Sequence, residues 1–117
     1  MKFKRCFANK MSSLRIKMKT ILHIVNTGHL ASQFTNNLLE LMTGTDAILF
    51  IEDGVYNTLS TAENQALLDK TSAKLFVLMP DLQARGFERQ GILDAVNAVD
   101  YDGFVDLTAQ FDVSMSW

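Results

Sequence analysis

The sequence predicts an α/β fold of three layers, a mostly parallel sheet with helices on both faces. Three observations carry that expectation. Short uninterrupted apolar runs recur along the chain, segments with helical spacing or helix caps lie between them, and polar or glycine-containing turns close the runs at their carboxyl ends. Strands covered on both faces read as continuous apolar runs, and helices are the usual connection between parallel strands.

Ile21 to Val25 reads Ile-Leu-His-Ile-Val, a short run rich in β-branched residues, and is the first expected strand. Residues 30 to 42 then place Leu30, Ala31, Phe34, Leu38, Leu41 and Met42 at three- and four-residue spacings, with Gly44 following as a C-cap, which predicts an amphipathic helix. Ala47 to Ile51 is a second apolar run, ended by a turn at Glu52-Asp53-Gly54. Ser60-Thr61-Ala62-Glu63 matches a capping box, so Ser60 is expected to cap a helix that buries Leu67 and Leu68. Lys74 to Met79 supplies a third strand, which Pro80 stops. Asp81 to Arg85 predicts a short helical turn ending at Gly86. Val96 to Val99 is a fourth strand, and Asp100 or Asp102 is placed to cap a helix bearing Phe104, Val105, Leu107 and Thr108. Val113 to Trp117 is expected to add an edge strand.

At 117 residues the chain is the size of one domain, long enough to bury roughly 65% of the surface its unfolded form exposes. Apolar residues make up 48% and charged residues 21%, a balance that excludes a disordered body. No apolar run approaches the roughly 18 residues a membrane span needs, because His23, Asn26 and His29 interrupt the most apolar stretch.

Charge is distributed unevenly. Residues 1 to 19 carry seven Lys and Arg and no acid, whereas the remaining 98 residues set Lys70, Lys74, Arg85 and Arg89 against thirteen acids, a local charge of −9. Such a body repels phosphate backbones, so direct nucleic-acid binding is not expected. Residues 1 to 17 read as a basic extension, disordered or upstream of a start at Met11 or Met18, and residues 18 to 117 as one α/β domain. Cys6, the only cysteine, falls in that extension; it allows neither an internal disulfide nor a cysteine metal cluster, and a reducing compartment is expected.

Candidate chemistry is sparse. His23 is expected as a core histidine, and His23 with His29 lacks the companions of a metal site. The loop Asn26 to His29, between a strand and a helix, has the position of a phosphate cradle but a single glycine. Glu52 and Asp53 lie at a strand's carboxyl end, where acid/base or magnesium chemistry can sit, but read first as a solvated turn. No Ser or Thr lies in a nucleophile elbow. The aromatic set Tyr56, Tyr101, Phe104, Phe111 and Trp117 is expected to be largely core, with Tyr56, Tyr101, Phe104 and Trp117 the candidates for a partner interface.

Several of these runs together resemble a known family. Leu-His-Ile-Val-Asn at 22 to 26, Asp-Ala-Ile-Leu-Phe-Ile-Glu-Asp-Gly-Val-Tyr at 46 to 56, Leu-Phe-Val-Leu at 75 to 78, Asp-Leu-Gln-Ala-Arg-Gly at 81 to 86 and Val-Asp-Tyr-Asp-Gly-Phe-Val-Asp-Leu at 99 to 107 resemble the TusB/DsrH family in order and spacing, as does Trp117 at the end. The resemblance implies a fold of the DsrE/DsrF type and a non-catalytic, cofactor-free cytoplasmic subunit of a heterohexamer with TusC-like and TusD-like partners. It further implies that the complex takes sulfur from a TusA-like carrier and passes it to a TusE-like one, for 2-thiolation of the tRNA wobble uridine. In the Dsr branch the related complex serves sulfur oxidation, and some members carry a cysteine where Leu38 stands here. Leu38 favours the Tus-like role, because an aliphatic side chain packs but cannot carry sulfur. The competing expectation is an autonomous flavodoxin-like domain binding a phosphate or flavin ligand at 26 to 29 and 52 to 54.

Overall fold

A computed structural model describes residues 20–28, 39 and 42–116 of the chain. The basic extension with Cys6, most of the segment 30–42 including Leu38, His29 and Trp117 lie outside the described residues.

Five strands form one sheet: β1 (Ile21–Val25), β2 (Ala47–Phe50), β3 (Lys74–Leu78), β4 (Val96–Val99) and β5 (Val113–Ser116). Their spatial order is β4-β3-β2-β1-β5, and all four pairings are parallel. Among the described residues the helices with given bounds are α1 (Ala62–Leu68), α2 (Met79–Ala84) and α3 (Tyr101–Gln110), with 3-10 segments at Glu52–Thr58 and Arg89–Gly91.

This order explains the layers. From β1 to β4 the chain steps in one direction across the sheet, then returns to place β5 on the far side of β1. Right-handed crossovers put steps in one direction on one face and the return on the other. Accordingly, Val25, Ile48, Phe50, Leu75, Val77 and Val96 pack with Leu39, Met42, Val55, Leu68 of α1 and Leu82 of α2. On the opposite face Leu22, Ala47 and Leu49 pack with Leu107 of α3. Register keeps the faces separate, since Leu22 pairs with Ala47, and Ile48 with Leu75. β2 is buried at all four positions, as its unbroken apolar run requires.

Three boundaries differ from expectation. Ile51 and Met79 fall just outside their strands: Ile51 leads into the 3-10 segment, and Met79 opens α2 with Pro80 in its first turn, where a missing amide hydrogen costs least. The α1 cap is Thr61, not Ser60. Leu59 bridges Ile92 and the Ser60 amide donates to the Gly91 carbonyl at 3.0 Å, holding the chain extended one residue further. The Thr61 hydroxyl then accepts from the Asn64 amide at 3.1 Å. At α3 the cap is Asp100, whose carboxylate accepts from the Gly103 amide at 2.8 Å. Gly86 follows α2 at φ 85°, the left-handed conformation expected of a glycine there.

Candidate functional site

The carboxyl edge of the central strands is where this fold gathers polar groups. β2 ends at Phe50, and the Ile51 amide donates to the Val25 carbonyl at 3.0 Å, so the chain leaving β2 crosses over the end of β1. The turn expected at Glu52-Asp53-Gly54 is the first part of a longer device, the 3-10 segment Glu52–Thr58. Glu52 takes φ 51°, unusual for a residue with a Cβ, and its amide donates to Asp81 Oδ2 of α2 at 2.7 Å. Arg85, the residue that follows α2, reaches back: Nε and Nη2 lie 3.1 and 3.0 Å from Asp53 Oδ1, and Nη1 donates to the Asp81 carbonyl at 3.2 Å. An ion pair and a side-chain cap therefore lock the segment to α2. On its other side, Asn57 Nδ2 donates to the Thr27 carbonyl at 2.8 Å, and Asn64 Nδ2 of α1 donates to the Tyr56 and Leu59 carbonyls, each at 3.0 Å.

The two loops of the ligand-binding expectation do meet. Asn26, Thr27 and Gly28 line a depression of about 380 Å³ together with Asp53 and Tyr56. Among the described residues its charged group is a carboxylate already engaged by Arg85, which repels a phosphate instead of receiving one. No cluster of three His, Cys, Asp or Glu side chains that could hold a metal occurs among the described residues. Asp53 thus acts as an anchor for α2, and among the described residues the depression holds no paired acid and base.

His23 is buried on β1, with Nε2 3.6 Å from Asp46 Oδ2. Asp46 Oδ1 accepts the Ile21 amide at 3.2 Å, so this carboxylate closes the amino end of β1. Sequence spacing did not reveal the pair, because the parallel β1–β2 register brings residues 23 positions apart together.

The interface candidates divide between the two faces. Tyr56 is 40% exposed and sets its ring edge-on to Phe87, with centroids 5.8 Å apart and planes at 87°. Tyr101, 58% exposed, and Phe104, partly buried, belong to α3 on the opposite face. The expectation that the aromatic set is largely core is corrected for both tyrosines, while Phe104 and Phe111 pack against the core from its margin. Val105, 63% exposed, was missed as a surface residue; its helical position, far around the axis from Leu107, is the signal that identifies it.

Comparison with known proteins gives the fold and the sequence a common setting. The family described as "DsrH like protein" matches residues 30–114. "Protein TusB" of Yersinia enterocolitica is 44% identical over 80 residues, which cover 68% of this chain and 83% of that protein. "Protein TusB" of Yersinia pestis is 41% identical over the same shares. Among solved structures, the ychN protein from E. coli aligns with a TM-score of 0.65 over 86% of this chain and all of its own, at 14% identity. Protein Tm0979 from Thermotoga maritima aligns with a TM-score of 0.58 over 77% of this chain and 92% of its own, at 23% identity. The two structures share the three-layer α/β architecture. With a family match over most of its length and relatives above 40% identity, the chain belongs to the TusB/DsrH family.

Proposed function

We propose that this chain is a non-catalytic, cytoplasmic subunit of a sulfur-relay heterohexamer, built with TusC-like and TusD-like subunits, that supports 2-thiolation of the tRNA wobble uridine. The observation that carries the reading is the absence of any cysteine from residues 20 to 117 in a member of a family named for sulfur relay. A persulfide needs a thiol, and the thiolate is its reactive form, so residues 20 to 117 hold no group on which sulfur can ride. The polar groups of the carboxyl edge support the same reading, since Asp53, Asp81 and Arg85 are spent on holding the 3-10 segment to α2.

The mechanism is positional. By packing against a partner that carries the acceptor cysteine, the chain shapes that cysteine's surroundings and stabilises the assembly, and TusA-like donors and TusE-like acceptors meet the complex through the partner. The acidic body is consistent with an indirect role toward tRNA. A role in sulfur oxidation would use the same fold; Leu38, in place of a cysteine, favours tRNA thiolation.

The test is the 2-thiouridine content of total tRNA, measured by nucleoside mass spectrometry in cells with and without this gene. Deletion is expected to lower 2-thiouridine strongly, and re-expression of the chain to restore it. Unchanged 2-thiouridine would overturn the reading.

A further inference from the structure

The sheet has two edge strands of equal length, and they are held differently. β4 places Val96 fully buried in the larger apolar cluster and packs Ala98 and Val99 against the two clusters. Asn97 ties it down further, with Nδ2 donating to the Leu75 carbonyl at 3.3 Å. β5 reads Val-Ser-Met-Ser, with Val113 partly buried and Ser114, Met115 and Ser116 exposed. None of its four residues belongs to either apolar cluster of the described residues. Apolar burial is the dominant favourable term in folding, and β5 takes almost no part in it. Backbone pairing is what keeps this strand in the sheet.

That pairing begins in a clasp between Thr20, the residue before β1, and Asp112, the residue before β5. The Thr20 amide and hydroxyl donate to Asp112 Oδ2 at 3.0 and 3.3 Å. In return the Asp112 amide donates to the Thr20 hydroxyl oxygen at 3.2 Å and to its carbonyl at 3.1 Å, and the Val113 amide donates to the same carbonyl at 3.1 Å. The parallel ladder then runs from Ile21 opposite Val113 to Ile24 opposite Ser116. The side-chain bonds of the clasp are exposed, where water competes for both partners and the net contribution of each is small. An element with few buried apolar contacts and exposed hydrogen bonds opens at a lower free energy than the core around it. α3, directly ahead of β5, has a firmer hold through buried Leu107 with Phe104 and Phe111 packed beside it.

We propose that β5 is a detachable edge strand, latched by the Thr20–Asp112 clasp, which leaves β1 and returns as a unit from Asp112 to Ser116 while β1 to β4 and α3 stay folded. The joint lies beside the candidate site. Ser116 pairs with Ile24, and two residues further on β1 runs into Asn26, where the wall of the depression starts. Release of β5 leaves the strand beneath that wall paired on one side only, with β2. Such a joint is a property of the chain itself and does not depend on the subunit reading.

The test is hydrogen exchange of the full chain, read by mass spectrometry on peptides from each strand across a series of low urea concentrations. Exchange in β5 is expected to be slower than in an unstructured peptide, yet at least about tenfold faster than in β4 and about a hundredfold faster than in β2 and β3. It should be almost independent of urea, because opening β5 exposes little surface, whereas exchange in β2 and β3 should rise with urea. Asp112→Ala removes the carboxylate of the clasp and is expected to speed β5 exchange at least about fivefold, with β2, β3 and β4 unchanged. Melting curves check that this variant folds; if it does not, Thr20→Val removes the hydroxyl alone and carries the same comparison. A β5 that exchanges at the rate and with the urea dependence of β2 and β3 would overturn the proposal, since the strand would then open only with the whole fold. A wild-type β5 without protection would also overturn it, as no docked strand would be there to release. So would a clasp variant that leaves β5 exchange unchanged or speeds every strand alike.

Discussion

Gly54 stands against the last carbonyl of β1: a Cβ added at Gly54 would lie 2.1 Å from the Val25 oxygen and 2.9 Å from its carbon. The same oxygen accepts the Ile51 amide, so the first turn of the 3-10 segment closes directly over the strand end. Both neighbours are backbone and cannot swing aside as a flexible side chain can. Gly54→Ala is therefore expected to destabilise the chain by about 2 to 4 kcal/mol, the sum of overpacking and a strained hydrogen bond. Urea unfolding checks this through the midpoint at unchanged slope; a midpoint within error of wild type would mean that the 3-10 segment is free to lift.

The cap of α1 separates two adjacent hydroxyls. Thr61 accepts the Asn64 amide, whereas the Ser60 backbone is engaged by Gly91. Thr61→Ala should cost about 1 kcal/mol and Ser60→Ala less than about 0.5 kcal/mol. Paired thermal melts decide the assignment, and the reverse order of the two losses would return the cap to Ser60.

That cap shows where sequence reading stops. The strands β1 and β4, the parallel sheet and an acidic cap at Asp100 or Asp102, which the structure resolves to Asp100, were legible because each depends on local pattern: an unbroken apolar run, alternation with helical segments, an acid before a helical stripe. Thr61 displaces Ser60 because of the Leu59–Ile92 bridge, a contact across more than thirty residues that no local motif encodes. The Asp53–Arg85 pair and the His23–Asp46 approach were hidden for the same reason, as sheet register and the 3-10 segment bring them together. In α3, by contrast, the exposure of Tyr101 and Val105 follows from helical period alone once Leu107 is taken as the inward residue.

Glu52 offers a test of backbone strain. Its φ of 51° is held by the 2.7 Å hydrogen bond from its amide to Asp81, and a β-branched residue fits that conformation poorly. Glu52→Val is expected to lower stability by about 1 to 2 kcal/mol, while Glu52→Gly leaves it unchanged or raises it by up to about 1 kcal/mol. Asp81→Ala removes the acceptor and should cost about 1 to 3 kcal/mol. Urea midpoints for the three variants give the ranking, and a Glu52→Gly loss as large as that of Glu52→Val would show that the side chain, not the backbone, matters here.

Leu107 is the residue through which α3 grips the sheet. It is 6% exposed and joins Leu22, Ala47 and Leu49 in the smaller of the two apolar clusters, with Phe104 and Phe111 packed beside it. Truncating a buried leucine removes its transfer energy and leaves a cavity, so Leu107→Ala should cost about 2 to 5 kcal/mol. Val105→Ala, on the exposed flank of the same helix, should change stability by less than about 0.5 kcal/mol in the isolated chain. Hydrogen exchange adds the location: Leu107→Ala is expected to speed exchange in α3 and β5 more than in β2 and β3, because α3 is the connection that delivers β5 to the sheet edge. Equal losses from the two substitutions would mean that Val105 is buried in solution, with the Tyr101–Val105 flank turned toward the chain's own core.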